Sequence, residues 1–321
     1  MTTFKEIRGQ LIRSVSSDPA NPQIGEIWYN NTIGVLKGYQ TIAAAWASGG
    51  SLNTARAAMG YTGPTTNTAF AFGGNGASAV AEQYNGTSWT EVGDLVTGRG
   101  YLAGAGTQTA ALGFGGYVSG PNRFLNLSEE YDGSTWSEGN NLNTGRDVLG
   151  GCGTQTAGLA FGGFTPGNTG DTEEYDGTSW TEQNNLNTAR RGLAGAGIQT
   201  AALAIAGETG PSNVLTEEYD GTSWTTSGNL NTGRESVAGA GIQTSAIAMG
   251  GNIPPNTTAV EQYNGTSWTT GVSMTTSRDS AGGAGANNTT ALVFGGRAPA
   301  PTTATEEFTD AFNGTVTLTT S

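Results

Sequence analysis

Adjacent carboxylates are the first candidates for chemistry in this chain: Glu129 with Glu130, Glu173 with Glu174, Glu217 with Glu218. A general acid and base must face one reacting atom together. Neighbours in a strand point to opposite faces, so no such pair can close on one proton or one sugar. The recurring arginines Arg56, Arg99, Arg146, Arg190, Arg234 and Arg278 offer another use for these glutamates, a structural Arg–Glu lattice. The chain has no histidine, which removes the commonest general base and the commonest transition-metal ligand. Its one cysteine, Cys152, stands in GGCG where sister segments read AGAG, and reads as a small buried residue rather than a nucleophile. No Asp-rich loop has calcium-ligand spacing, and no glycine stretch carries the lysine and helix of a phosphate loop. Asn85, Asn264 and Asn313 head Asn-Gly-Thr phrases, read as hairpin turns rather than glycan acceptors. The expectation is a non-enzymatic protein with no cofactor and no metal.

The elements that would position any site repeat. Trp46, Trp89, Trp136, Trp180, Trp224 and Trp268 are spaced 43, 47, 44, 44 and 44 residues apart. The last five close nearly the same phrase, as in EEYDGTSW at 173–180 and 217–224. In one unit, NTGR at 231–234 precedes a Gly/Ala-rich run, then SAIAMGG, then VEQYNGTSW. Four strands fit. The first is made of small residues suited to a crowded axis, and Asn-Gly or Asp-Gly forms the hairpin before the tryptophan. The glycine pair recurs at Gly73, Gly115, Gly162, Gly250 and Gly295, with Ala206-Gly207 as the variant, which makes six units.

A period of roughly 40–50 residues with a glycine pair, a Glu-x-Tyr phrase and a tryptophan means a β-propeller. The order and spacing over about 41–316 resemble the Kelch repeat family. That resemblance implies an all-β fold of four-stranded blades in a closed ring, here six. It does not bring the copper chemistry of some Kelch proteins, because the histidine ligands are missing. The Trp46 segment is an orphan fourth strand at the front, and the last unit has three strands ending at 306–308. The expectation is therefore a six-bladed, Kelch-like propeller over 41–321 closed by the Trp46 strand. The competing use of 315–320 as that strand lacks the tryptophan.

Of 321 residues, charged side chains make up 12%, against roughly 25% in an ordinary soluble domain. The net charge is −13, while both lysines, Lys5 and Lys37, fall in the first forty residues. An acidic body argues against nucleic acid as a partner and against an anionic membrane surface. The N-terminal run MTTFKEIRGQLIRSV is broken by charges and reads neither as a signal peptide nor as a membrane span.

Recognition in repeat proteins sits where the units differ. The connections after the glycine pairs vary in length and content and should open on one face. They supply Tyr117, Asn122, Arg123, Phe124, Phe164, Asn168, Asn213, Asn256 and Arg297 as candidate ligand-binding residues. Aromatic faces with Asn and Arg donors suit a host-surface sugar or a protein patch.

Residues 1–40 do not repeat and form a separate anchoring segment. Asp18-Pro19 through Gly25-Glu26-Ile27-Trp28-Tyr29-Asn30 to Gly34-Val35-Leu36-Lys37 resembles a short segment of tailed-bacteriophage structural proteins. It reads as two strands around Asn30-Asn31, with Trp28 and Tyr29 as an anchoring surface. Phe4, Ile7, Leu11 and Val15 share a face at helical spacing, although Gly9 weakens a helix. The resemblance implies a virion component assembled in the host cytoplasm. It would be held to other virion proteins, or to further copies of itself, through Phe4, Ile7, Leu11, Trp28 and Tyr29. A tail fibre or adhesin displaying the propeller for attachment or host-surface recognition is the leading reading. Capsid decoration, a virion enzyme that degrades polysaccharide, and a cytoplasmic Kelch adaptor stay open as alternatives.

Overall fold

A computed structural model describes residues 12–120, 123–210 and 212–318. Among them every regular element is a strand. The chain divides into a small unit, residues up to Ala45 together with those from Thr309, and a large unit, Trp46–Phe308.

In the small unit β1 (Arg13–Val15) runs parallel to β2 (Ile27–Asn30), which turns back onto β3 (Val35–Ile42). Asp18 gathers this sheet. Its carboxylate accepts from Trp28 Nε1 at 3.1 Å, Asn30 Nδ2 at 2.9 Å and Lys37 Nζ at 2.6 Å. Those donors, Lys37 first, hold its pKa down at about 2. Trp28 is fully buried while Tyr29 is 40% exposed. The expected two-residue anchor is thereby corrected: strand alternation sends Trp28 inward as core and leaves Tyr29 alone at the surface. Val15 is in a strand, not on a helix, because it pairs with Asn30. Phe4, Ile7 and Leu11 lie outside the described residues.

β4 (Ala45–Ser48) leads into the large unit, which contains six four-stranded sheets. The first is β5 (Gly60–Thr62), β6 (Phe70–Phe72), β7 (Ala81–Tyr84) and β8 (Trp89–Val92). The second is β9 (Ala103–Thr107), β10 (Ala110–Phe114), β11 (Ser128–Tyr131) and β12 (Trp136–Glu138). The third is β13 (Gly150–Thr154), β14 (Ala157–Phe161), β15 (Thr172–Tyr175) and β16 (Trp180–Gln183). The fourth is β17 (Ala194–Ile198), β18 (Ala201–Ile205), β19 (Thr216–Tyr219) and β20 (Trp224–Thr226). The fifth is β21 (Ala238–Ile242), β22 (Ser245–Met249), β23 (Val260–Tyr263) and β24 (Trp268–Thr270). The sixth takes β25 (Gly282–Ala284), β26 (Thr290–Phe294) and β27 (Thr305–Thr309), with β4 as its fourth strand. β28 (Phe312–Thr317) pairs along β3 in the small unit, Thr317 opposite Lys37 and Phe312 opposite Ile42. Asn313 therefore sits in a strand, not in a hairpin turn. Asn85 and Asn264 do sit in turns, where their side-chain oxygens accept the N–H groups of the next two residues but one.

The repeated phrases make one repeated structure. The first glutamate of each Glu-x-Tyr phrase is buried against the arginine of N-T-x-R: Arg99 with Glu129 at 3.2 Å, Arg146 with Glu173 at 3.1 Å, Arg234 with Glu261 at 3.3 Å. Arg56–Glu82, Arg190–Glu217 and Arg278–Glu306 repeat the pair. The same carboxylate caps the Asn-Thr turn, as Asn187 N to Glu217 at 2.7 Å. Burial pulls every one of these guanidinium pKa values down and the paired glutamate pulls it back. The residue after that glutamate faces the other way. Glu130, Glu174 and Glu307 accept from the hydroxyls of Tyr175, Tyr219 and Tyr84 in a neighbouring sheet.

Tryptophans join sheets as well. Trp180, Trp224, Trp268 and Trp89 donate from Nε1 to the hydroxyls of Ser128, Thr172, Thr216 and Thr305, each the first residue of a third strand. In the first sheet that position is Ala81, and Trp136 Nε1 is buried with no partner. The innermost strands come so close that a Cβ on Gly195 would lie 2.3 Å from the Gly151 carbonyl oxygen. That contact accounts for their Gly/Ala composition. Cys152 is buried there, and burial pushes its thiol up to about 12.

Candidate functional site at the loop-face mouth

The turn after each buried arginine delivers a residue into left-handed backbone. Ala58, Tyr101, Val148, Gly192, Ser236 and Ser280 have φ between 52° and 64°. Tyr101 N donates to Ala58 O, Val148 to Tyr101, Gly192 to Val148, Ser236 to Gly192, Ser280 to Ser236 and Ala58 to Ser280, at 2.6 to 2.9 Å. Five of the six carry a side chain in a conformation that costs on the order of 1 kcal/mol each, so the hydrogen-bonded cycle must hold them there.

This cycle surrounds a cavity of about 80 Å³ walled by residues such as Met59, Leu102, Leu149 and Val237. Its floor is Tyr61. In the inner strands the equivalent positions are Gly104, Gly151, Gly195, Gly239 and Gly283, so one unit alone places an aromatic ring on the axis. Tyr61 also bounds a second cavity of about 370 Å³ on its other side, rimmed by the exposed Ile198 and Ile242. Gly239 N donates to the Tyr61 hydroxyl at 3.4 Å, and Tyr61 meets Phe294 edge-on at 6.3 Å. Burial raises its phenol pKa.

The residues just before the left-handed ones are Ala57, Gly100, Asp147, Arg191, Glu235 and Asp279. Each of the last four pairs through backbone with the residue after a glycine pair: Phe164, Glu208, Asn252 and Arg297 respectively. Arg191 binds Glu208 through Nε and Nη2, both at 2.9 Å, and Arg297 Nε donates to Asp279 at 2.8 Å. The Glu208 carboxyl stands beside Glu235. Burial, then the Glu208 hydrogen bond, pushes Glu235 up to about 7. Burial would raise Glu208 too, but the Glu235 hydrogen bond and Arg191 outweigh it and hold Glu208 low. Asp147 is 7% exposed and burial lifts it to about 6, although Arg191 and Arg123 pull the other way. Its Oδ1 is buried without a hydrogen-bond partner, as is Asn252 Oδ1.

The expected loop residues divide. Arg123, Phe124 and Phe164 come together: the Arg123 guanidinium covers Phe124 at 4.7 Å, Phe124 meets Phe164 at 5.7 Å, and Arg191 covers Phe164 at 4.6 Å. Tyr117 joins them through backbone pairing with Phe124. Asn168 and Asn256 spend their amides on the backbone carbonyls of Glu208 and Arg297, 2.8 and 2.9 Å away, so they brace neighbouring loops. Asn213 Oδ1 accepts from Leu215 N at 3.1 Å within its own loop. Arg297 is the partner of Asp279. Asn122 lies outside the described residues.

Asp147, Arg191, Glu208, Glu235, Asp279 and the axial Tyr61 were not anticipated. Their signal is visible once the repeat is subtracted. The position after the lattice arginine reads Ala, Gly, Asp, Arg, Glu, Asp beside an arginine that is constant in all six units.

No family model and no curated protein matches the chain. Among solved structures it is similar to one titled "Structure of YjhT", with a TM-score of 0.66 and 13% identity over 84% of this chain and 99% of that one. At such identity the likeness speaks for architecture alone, and with the repeated four-stranded sheets it makes the large unit a propeller-like β fold.

Proposed function

We propose that the chain is a non-enzymatic virion structural protein of a tailed phage, of tail-fibre or adhesin type. Its large unit is read as a six-bladed propeller of Kelch kind, closed by the Trp46 strand, that carries an attachment surface. Six four-stranded sheets and the six-membered hydrogen-bond cycle support the blade count. Bonds from Trp89 to Thr305 and from Tyr84 to Glu307 support closure between first and last sheets. The phage assignment rests on the Asp18–Lys37 phrase, whose Asp18, Trp28, Asn30 and Lys37 are bonded together.

One observation carries the recognition reading. Inside the sheets the units are near copies, while the loop-face mouth collects residues in which they differ: Phe164, Arg191, Glu208, Glu235, Asp279 and Arg297. The polysaccharide-degrading alternative needs two carboxyls about 5 to 9.5 Å apart. Of the unrepeated carboxyls here, Glu208 is held by Arg191 and Asp279 by Arg297, which suits a binding surface better than hydrolysis.

The test compares particles carrying the wild-type protein with particles carrying Arg123→Ala, Phe124→Ala and Arg191→Ala together. Host adsorption should fall at least tenfold while the protein stays in purified particles. Unchanged adsorption rejects the attachment role, and absence of the wild-type protein from particles rejects the virion assignment.

A further inference from the structure

We propose that the open apolar face of the small unit's sheet packs against the same face of a second copy of this chain, making a two-fold dimer. The inference stands apart from the virion reading, because the purified chain alone tests it.

Strand pairing fixes which residues share that face. Tyr29 lies opposite Leu36, and Leu318 N donates to Leu36 O at 2.9 Å. Ile27, Gly38 and Val316 form the next row, and Ile42 opposite Phe312 forms the last. The polar side chains that the strands add to this face are Ser14, opposite Tyr29, and Gln40, opposite Gly314. Neither is charged. Arg13, Lys37, Thr315 and Thr317 fall on the other face, where Asp18 bonds Trp28 and Lys37.

A sheet with one wet face normally turns its polar side to water and its apolar side to the core. Here the apolar side stays open. Tyr29 is 40% exposed and Phe312 49%, and none of Ile27, Leu36, Ile42, Val316 and Leu318 is buried. A contiguous apolar surface of this kind marks a contact.

Charge selects the occupant. The chain carries −13, so two copies repel except where an uncharged surface meets another. This face offers nothing to a partner chosen by charge, and an apolar surface gains most by covering it. A second copy brings such a surface at equal concentration. Size agrees. Four strands about 4.8 Å apart and up to roughly 25 Å long give at most about 500 Å² per copy. Two copies give about 1,000 Å², the size of a reversible contact rather than a permanent one. Two sheets packed about 10 Å apart make a sandwich, and the two-fold axis closes it.

The test is sedimentation of the purified full chain at concentrations up to about 200 µM. The wild type should pass reversibly from monomer to dimer as concentration rises. The dimer should persist when salt is raised from about 0.05 to 0.5 M, because no charge pair holds it. Tyr29→Asp and Phe312→Asp each place a charge in the contact and should weaken it at least about tenfold. Thr317→Asp, on the other face of the same strand as Phe312, should change nothing. Hydrogen exchange of the β2 and β3 amides checks that each variant keeps its sheet. Where neither Asp variant keeps it, the wild-type stoichiometry and salt response decide alone. A wild-type monomer, a trimer, a dimer dissolved by salt or a dimer indifferent to both Asp variants overturns the proposal. So does a dimer that forms only when Phe4, Ile7 and Leu11 are all replaced by Ser, since the chain's own first residues would then be the cover.

Discussion

The inner lattice and the loop-face mouth use the same side chains, arginine against carboxylate, to different ends. In the lattice every glutamate has one assigned arginine and the backbone donors of one turn, as Glu217 has Arg190 and Asn187. Geometry is repeated six times, although buried guanidinium nitrogens of Arg99, Arg146, Arg190, Arg234 and Arg278 keep no hydrogen-bond partner. At the mouth, carboxyls outnumber guanidiniums, and Asp147 Oδ1 has no hydrogen-bond partner. One-to-one pairs build a scaffold. The unequal set of charges that the scaffold positions is free to respond to a partner or to pH.

The hardest way to break the comparison is at the lattice. Arg190→Met leaves Glu217 buried without its cation and should cost about 3–5 kcal/mol in chemical denaturation. Adding Glu217→Leu should recover part of that loss, incompletely because the Asn187 turn loses its cap. A single-mutant cost below about 1 kcal/mol would mean the lattice is ornamental rather than structural.

Acidity separates the two regions next. Glu235 and Asp147 have folded pKa values raised to about 7 and about 6, above the ordinary carboxylate value near 4. A raised carboxyl contributes stability that is full below its unfolded pKa and is lost as pH rises through the folded one. Melting temperature should therefore increase as pH falls from about 8 to about 5, by less than the roughly 1.4 kcal/mol per pKa unit of an unscreened group, since Glu235 is only half-buried. Glu235→Gln with Asp147→Asn should flatten that slope, and a slope unchanged in the double variant would place the titrating groups elsewhere. The smallest effect sharpens the scaffold side. Ala81→Thr gives Trp136 Nε1 the hydroxyl that Trp180, Trp224, Trp268 and Trp89 already have, and should add about 1 kcal/mol to stability. No gain would mean that Trp136 is satisfied by solvent.

The scaffold was legible because period, hairpin turns and aromatic positions all repeat, and every copy of a phrase confirms the others. The mouth was legible only in part. Arg123, Phe124 and Phe164 stood out by loop length and content, but Glu235 and Asp147 sit in a turn of constant length. Their difference is one of residue type inside an otherwise repeated phrase. Tyr61 is the same case, a lone aromatic in a column of glycines. Trp28 was misplaced for a simpler reason: two aromatics side by side in a strand were both assigned to the surface, whereas alternation allows only one there.

β4 is among the first strands to leave the ribosome, yet its partner β27 begins at Thr305. At synthesis rates of about 5–20 residues per second, the strand waits on the order of ten seconds or more for its place. Until then a tryptophan-bearing segment and one open sheet edge are both unsatisfied on the nascent chain. A growing copy nearby could be captured in its place, so slow elongation or crowded polysomes should favour strand-exchanged dimers of this protein.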